Sequence, residues 1–404
     1  MDTYFSLAQK RISMALKDSP STFEELCRKC RGLYPTMITG ILNDLDVDKH
    51  CVPVYTMDNT KYAMNSENEN HCMVTDGLPN NPVLSSWYYS WDTCYKLGNL
   101  ALWKNKRILF LGSPRLFEYF VSKGLGEELV LVDLDGVVID ALSKRYLANT
   151  SAKKIHFFQG DINDFNIPQF TKEHSDLFDS IFLDPPWYPE CYAPWLNTAL
   201  KFVKPTGCIV FSLFPPLLRP TAISERTEIL NRSRKIAEMA LLLSDLSEYD
   251  TPSFEKIELE QAGLKLRRNW KVSDIVVLTG ITSNVFSDNV NITKDYLFWK
   301  EFDWLNMRWF LDSSRDFSKN LQLIAAPQGI RFLKSPSKRN PQFKEINLLS
   351  SHGHGLCVSN PVKFMQIVQK LQHAGPSLSY REIVSNSDID QPSKQLLYSL
   401  EDDS

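Results

Sequence analysis

The chain has 404 residues, a formal net charge of -3, 43% hydrophobic and 23% charged residues. That is an ordinary globular composition, long enough for two or three domains. No apolar run approaches the ~20 residues of a membrane helix, and "MDTYFSLAQKRISMAL" lacks the basic-then-apolar layout of a secretory signal. The 8 cysteines form no compact framework and read as reduced thiols of a cytoplasmic protein. At this charge a polyanion has to be held by local basic patches.

Residues 1–66 form the first predicted unit. "YFSLAQKRISMAL" has apolar positions at helical spacing, and "STFEELCRKC" opens on a Ser/Thr cap with acids in its first turn. "RGLYP" turns the chain, "TMITGILNDLD" supplies a third helix, and "VPVYTM" and "KYAM" flank a tight turn as two short strands. Three helices and a hairpin predict a winged helix-turn-helix, which serves either nucleic-acid contact or homodimerisation. Its candidate recognition helix, residues 36–46, carries Asn43, Asp44 and Asp46 but no Lys or Arg, which counts against a strong DNA grip. Cys27 and Cys30 have the spacing of half a zinc site, but they fall inside an amphipathic helix with no second CxxC following, so no metal is assigned.

Residues 67–104 begin as a polar, Asn- and Pro-rich linker and continue as an aromatic helix, "WYYSWDTCYKLGNLALW", whose stripe reads as core. From residue 105 strands and helices alternate: "KRILFLG", "RLFEYFVSKG", "ELVLVDLD", "GVVIDALSKRYL", "KIHFFQGD", "FDSIFLDPP", "APWLNTALKFV", "GCIVFSLF". This predicts an α/β domain over 105–283 with a doubly wound, mostly parallel Rossmann-like sheet, closed by an antiparallel pair, "GLKLRRNWK" and "SDIVVLTGI". The segment between them, from "PPLLRPTAISER" to "EQAG", reads as inserted helices over the site. Residues 284–404 read as an α+β appendage with a fraying tail.

Ligands of such a sheet lie beyond the carboxyl ends of its strands. The first strand ends at Gly112, Ser113 and Pro114, where the backbone can approach a ligand closely and a helix offers free N–H groups. A second ends at Asp133 and Asp135, the spacing at which a carboxylate meets ribose hydroxyls. A third ends at Asp161, placed for an adenine amine. Without a full glycine triplet the site suits a nucleoside lacking a pyrophosphate. The fourth strand ends in Asp184-Pro185-Pro186-Trp187. An exocyclic base amine is a poor nucleophile, and acceptors aimed at its N–H groups stabilise the charge developing on it. The Asp184 carboxylate and the Pro185 carbonyl are such acceptors, and Trp187 offers a flat face for the base.

"DPPW" resembles the motif of amino-methyltransferases that modify N6 of adenine or N4 of cytosine. With "FLGSPRLFEY" and "LVDLD", it also resembles an adenine N6 methyltransferase of ribosomal RNA. The resemblance covers about 105–215 and implies a class I fold, S-adenosylmethionine as cofactor, RNA or DNA as substrate, Gly112, Asp133 and Asp161 on the cofactor, and Asp184 to Trp187 on the target amine. The chain resembles branched-polyamine synthases as well, in its N-terminal winged helix, "ILFLG" strand, "LVDLD" strand end and "DPP". That likeness implies decarboxylated S-adenosylmethionine and a polyamine acceptor. Their acidic cluster after the glycine is replaced here by Ser113-Pro114-Arg115, and Arg115 would repel a polycation, so the methyltransferase leads. A non-catalytic nucleic-acid-binding protein on the same scaffold is the third reading. For nucleic-acid contact the candidates are Arg267, Arg268 and Lys271 in "KLRRNWK" and Arg331, Lys334, Lys338 and Arg339 in "RFLKSPSKRNPQFK", where cations mix with aromatics. His352 and His354, at i, i+2, lack a third ligand and read as a polar loop.

Overall fold

The computed structural model describes residues 2–18, 21–45, 77–100, 106–147, 154–164, 177–266, 268–286, 298–320, 322–327, 332, 340–373 and 379–402. The chain divides into two compact units: Met1–Pro79, Trp87–Thr251 and Leu266–Ile292 form one; Asn80–Ser86, Pro252–Lys265 and Thr293–Ser404 form the other.

The first unit opens with helices α1 (Asp2–Asp18), α2 (Phe23–Lys29) and α3 (Pro35–Leu45). A capping box starts α2: Thr22 Oγ1 accepts from the Glu25 N–H, and the Glu25 carboxylate accepts from the Thr22 N–H. Such a cap is worth about 1 kcal/mol. Phe23, Leu26 and Cys27 turn inward. Burial pushes the Cys30 thiol up to about 12 and that of Cys27 higher still, which makes both poor thiolates and poor metal ligands. The hairpin expected over residues 52–64 lies outside the described residues.

The sheet follows: β1 (Tyr88–Tyr89), α4 (Trp91–Gly98), β2 (Arg107–Leu111), α5 (Pro114–Ser122), β3 (Glu128–Asp133), α6 (Gly136–Tyr146), β4 (Lys154–Gln159), β5 (Phe178–Leu183), α7 (Pro189–Phe202), β6 (Val203–Leu213), α8 (Ala222–Ser233), β7 (Ala237–Asp250) and β8 (Val272–Ile281). Among the described residues its order is β1-β7-β8-β6-β5-β2-β3-β4. Strands β4, β3, β2, β5 and β6 run parallel, and β8 lies antiparallel between β6 and β7. The winding reverses between β2 and β5, so a Rossmann-like switch point opens beyond Leu111 and Leu183. The central strands are continuous apolar runs because helices cover both faces. Leu109, Leu111, Ile181 and Leu183 pack on Tyr192 and Leu196 of α7. Phe110 faces the other way, stacked on Phe182 at 5.3 Å and edge-on to Phe117 and Phe120.

Three expectations for this unit are corrected. Residues 237–250, expected within inserted helices, are a 14-residue strand. Its "AEMALLL" composition favours a helix in isolation, but pairing with β8 overrides propensity. The ladder shifts register between Leu243 and Ser247, where Asp245 takes a positive φ of 54°. The closing antiparallel partners of β8 are therefore β6 and β7, and the described residues of "KLRRNWK" form no strand. The aromatic segment is likewise divided: Tyr88 and Tyr89 pair with Asp250 and Tyr249 as an edge strand, and only Trp91–Gly98 is helical.

In the second unit α9 (Ser253–Gln261) accompanies β9 (Trp299–Trp304), β10 (Met307–Asp312), β11 (Ile324–Ala325), β12 (Leu348–Ser350) and β13 (Gly355–Val358), then α10 (Pro361–Gln372), α11 (Tyr380–Asn386) and α12 (Gln391–Asp402). The antiparallel order is β11-β13-β12-β10-β9. Of the tail "LEDDS" expected to fray, residues 400–402 are helical with Leu400 fully buried, and residues 403–404 lie outside the described residues.

Candidate functional site

The switch point lies between the ends of β2 and β5, with the ends of β3 and β4 following beyond β2. Gly112 follows β2 at φ +62°, and a Cβ added there would lie 2.5 Å from Trp195 Cη2 of α7. A glycine is required on both counts. Ser113 then caps α5 without a side-chain hydrogen bond to it, and Pro114 occupies the first helical turn. Arg115 points into the same region but is 7% exposed: it pairs with Asp250 (3.1 Å) and Glu118 (3.8 Å) and lies over the Trp91 ring.

The acids of the next two strands differ in what they do. Asp133 Oδ1 accepts from the Asp135 N–H (2.9 Å), and burial pushes the Asp133 carboxyl up to about 7 against that bond. Asp135 is 4% exposed and caps α6 by accepting from the Val137 N–H, so one of its oxygens serves the helix. Beyond β4, Asp161 Oδ1 accepts from the backbone and side-chain nitrogens of Asn163, shaping the turn at Ile162–Asp164, where Thr198 of α7 donates to the Ile162 carbonyl.

Asp184 ends β5, its N–H tied to the Leu111 carbonyl across the switch. Both Ser212 Oγ, from β6, and Tyr249 Oη, from β7, donate to its Oδ1, at 2.5 and 2.7 Å. Tyr89 of β1 packs on Tyr249, with ring centroids 4.9 Å apart, and joins the same hydroxyl cluster. Burial raises the Asp184 carboxyl to about 7; the hydroxyls and the nearby Lys271 charge oppose that rise. Pro185 is buried. Trp187 stands edge-on to Tyr249 at 5.4 Å, and its carbonyl accepts from Arg219 Nη1 at 2.8 Å. Arg219 is held in turn by Glu225 and by the Phe214 ring. Lys271 Nζ lies 3.6 Å from the Trp87 centroid and 4.3 Å from that of Trp187.

A narrow crevice is lined by Trp87, Tyr88, Tyr89, Gly112, Ser113, Pro114, Arg115 and Asp184; Asp133, Asp135 and Asp161 do not line it. The fold thus brings Gly112, Ser113 and Pro114 together with Asp184 around one opening. Of the basic candidates, Arg268 is exposed and Lys271 sits against the two indoles; Arg267, Arg331, Lys334, Lys338 and Arg339 lie outside the described residues. Sequence reasoning missed Ser212, Tyr249, Tyr89, Trp87, Trp195 and Arg219. Only Ser212 gave a local sign, a hydroxyl in the otherwise apolar end of "CIVFSLF". Among the described residues no group of three His, Cys, Asp or Glu is placed to hold a metal, and no helix is long and apolar enough to cross a membrane.

No protein-family description matches the chain, and no curated protein matches it. Solved structures do. The branched-chain polyamine synthase of Thermus thermophilus, solved with N4-aminopropylspermidine and 5'-methylthioadenosine, is 14% identical with a TM-score of 0.51, covering 72% of this chain and 91% of its own. A putative RNA methyltransferase of Pyrococcus horikoshii is 16% identical with a TM-score of 0.36, over 50% and 91%. An rRNA methylase of Streptococcus thermophilus is 9% identical with a TM-score of 0.31, over 47% and 95%. The likeness to the synthase is one of fold, and the strand order is that of a Rossmann-like sheet.

Proposed function

We propose that the first unit is an S-adenosylmethionine-dependent transferase that alkylates a nitrogen presented at Asp184, its reaction being methyl transfer to an exocyclic base amine of RNA or DNA. The observation that carries this reading is the crevice lined at once by Gly112–Arg115 residues and by Asp184. The residues fit an adenosyl sulfonium. Gly112 leaves the β2 turn bare where a side chain would strike Trp195. Asp133, whose raised carboxyl gains from a hydroxyl donor, ends the neighbouring strand for the ribose. Asp161 closes the turn beyond β4 for the adenine. The crevice is too narrow as it stands to hold a ligand, so this reading requires its aromatic rim to open.

When bound, S-adenosylmethionine supplies a sulfonium methyl that passes to the acceptor nitrogen's lone pair, the S–C bond breaking as the N–C bond forms. Asp184 aligns the amine by accepting its N–H, and a carboxyl near 7 is matched to take the proton that nitrogen sheds. Ser212 and Tyr249 hold Oδ1 and orient the group. Trp187, fixed through its carbonyl by Arg219, supplies the face for the base. Fixed proximity can contribute roughly 7 kcal/mol or more. A duplex base has to be flipped out first, at a few kcal/mol. Exposed Arg268, three residues before Lys271, is the cation assigned to the nucleic-acid strand in this reading.

A second reading, aminopropyl transfer from decarboxylated S-adenosylmethionine to a polyamine, is favoured by the ammonium of Lys271 already lying against Trp87 and Trp187. Arg115, expected to repel a polycation, is offset by Asp250 and Glu118. Calorimetry with each sulfonium, followed by transfer of a labelled group to single-stranded RNA or to spermidine, separates the two. Preference for the decarboxylated form selects the second reading, and binding of neither selects a scaffold without catalysis.

A further inference from the structure

We propose that Lys271 is a resident occupant of the acceptor site: its ammonium fills the place between Trp87 and Trp187 that an incoming cationic amine takes over. The inference rests on reading Asp184 as the acceptor corner. Three observations carry it. The ammonium lies over both indoles, 3.6 and 4.3 Å from their centroids. Each indole is braced at right angles by a second ring, Trp187 by Tyr249 (5.4 Å, 87°) and Trp87 by Trp270 (6.1 Å, 90°). The base of the lysine is fixed as well, because its carbonyl accepts from the Tyr249 N–H at 3.0 Å, in register with β7. The cage is therefore preorganised around a charged group, and Asp184 stands near enough to feel that charge.

The chemistry of the occupant defines the chemistry of its competitor. A lysine head is a primary ammonium on a four-carbon stem, and aromatic faces attract such a cation through their quadrupoles. A tethered ligand competes at an effective concentration of millimolar or more. Free amines consequently bind the intact protein weakly, and removal of the lysine head opens the cage to them. Lys271 thus sets specificity toward acceptors that carry a positive charge to replace its own, as the polyamine of the second reading does and a neutral base amine does not.

The test is calorimetric titration with n-butylammonium and, as a neutral control of the same shape, n-butanol, with no sulfonium compound present. Lys271→Ala is expected to bind n-butylammonium at least 10-fold more tightly than the unaltered protein and n-butanol much less tightly, and adding Trp87→Leu is expected to abolish the gain. Where Lys271→Ala fails to fold by near-ultraviolet circular dichroism, Lys271→Met keeps most of the stem and is titrated with methylammonium instead. A folded variant that gains no affinity for the ammonium, or that takes the alcohol equally well, overturns the proposal. Binding is read without turnover, so its failure leaves the role of Asp184 intact, and failed alkyl transfer leaves the cage intact.

Discussion

Tyr249, at the end of β7, donates its hydroxyl to Asp184, at the end of β5, across 2.7 Å and 65 positions of sequence. Strands β8 and β6 lie between theirs in the sheet. The Asp184 carboxylate is thus oriented only when the antiparallel half of the sheet has closed on the parallel half, and Ser212 supplies the matching bond from β6.

Tyr249→Phe removes one of the two hydroxyls on Oδ1. The hydroxyls oppose the upward push of burial, so the Asp184 carboxyl moves further up from about 7. The acid limb of the pH–rate profile should shift to higher pH, with turnover lowered about 10-fold at neutral pH and nearly recovered on the alkaline side. A profile that scales down without shifting would show that Tyr249 acts through packing alone.

Asp133 and Asp184 should make the fold less stable as pH rises. Both carboxyls are raised from 3.8 to about 7, chiefly by burial. The folded state therefore keeps protons that the unfolded chain has released, and this contribution is fully present below about pH 4 and lost through about pH 7. Asp133→Asn and Asp184→Asn should match the unaltered protein below about pH 4 and exceed it at pH 8 by about 1–3 kcal/mol each. Urea titrations across that range check the sign, and equal offsets at both ends would refute it.

Gly112→Ala places a methyl group 2.5 Å from Trp195 Cη2 at a φ of +62°. The expected cost is about 1–3 kcal/mol of stability, with weakened sulfonium binding. Trp195→Phe in the same chain should restore part of the steric loss but none of the backbone strain. A double-mutant cycle by denaturation and calorimetry measures the coupling.

Asp274 of β8 is fully buried and anchors two guanidinium groups, Arg31 at 2.5 Å and Arg226 at 2.6 Å, while accepting from the Asp245 N–H. Asp274→Ala leaves Arg226, 8% exposed, without its counter-ion and should cost about 3–5 kcal/mol. Adding Arg226→Leu should recover part of that loss, because the stranded charge goes with it. Arg31→Ala should cost less, since Arg31 is the more exposed partner. Denaturant midpoints rank the three.

The parallel half of the sheet was legible because each of its strands announces itself locally. "RILFL", "ELVLVD" and "FDSIFL" are apolar runs ended by Gly112, Asp133 and Asp184, and a strand buried on both faces needs nothing more to be recognised. Strand β7 was not legible. "AEMALLLSDL" carries helix-favouring residues, and its state is decided by β8, which follows it by more than twenty positions. The N-terminal helices were readable from their caps and periodicity, but not Tyr4 donating to the Leu217 carbonyl, 213 positions away, or Arg31 reaching Asp274.

By itself the sequence determined which residues stand at the strand ends: a glycine, three acids and a proline-stiffened aspartate, since those positions follow from local runs and their terminators. The tertiary structure alone decided the surroundings of that aspartate. Ser212, Tyr249 and Lys271 come from distant strands and the approach to one of them; burial of Asp184 raises its carboxyl, their hydrogen bonds and charge oppose that rise, and Lys271 covers the face of Trp187. Hydrogen bonds, desolvation and charge act over a few ångströms of space whatever the distance along the chain, so no local pattern can encode them.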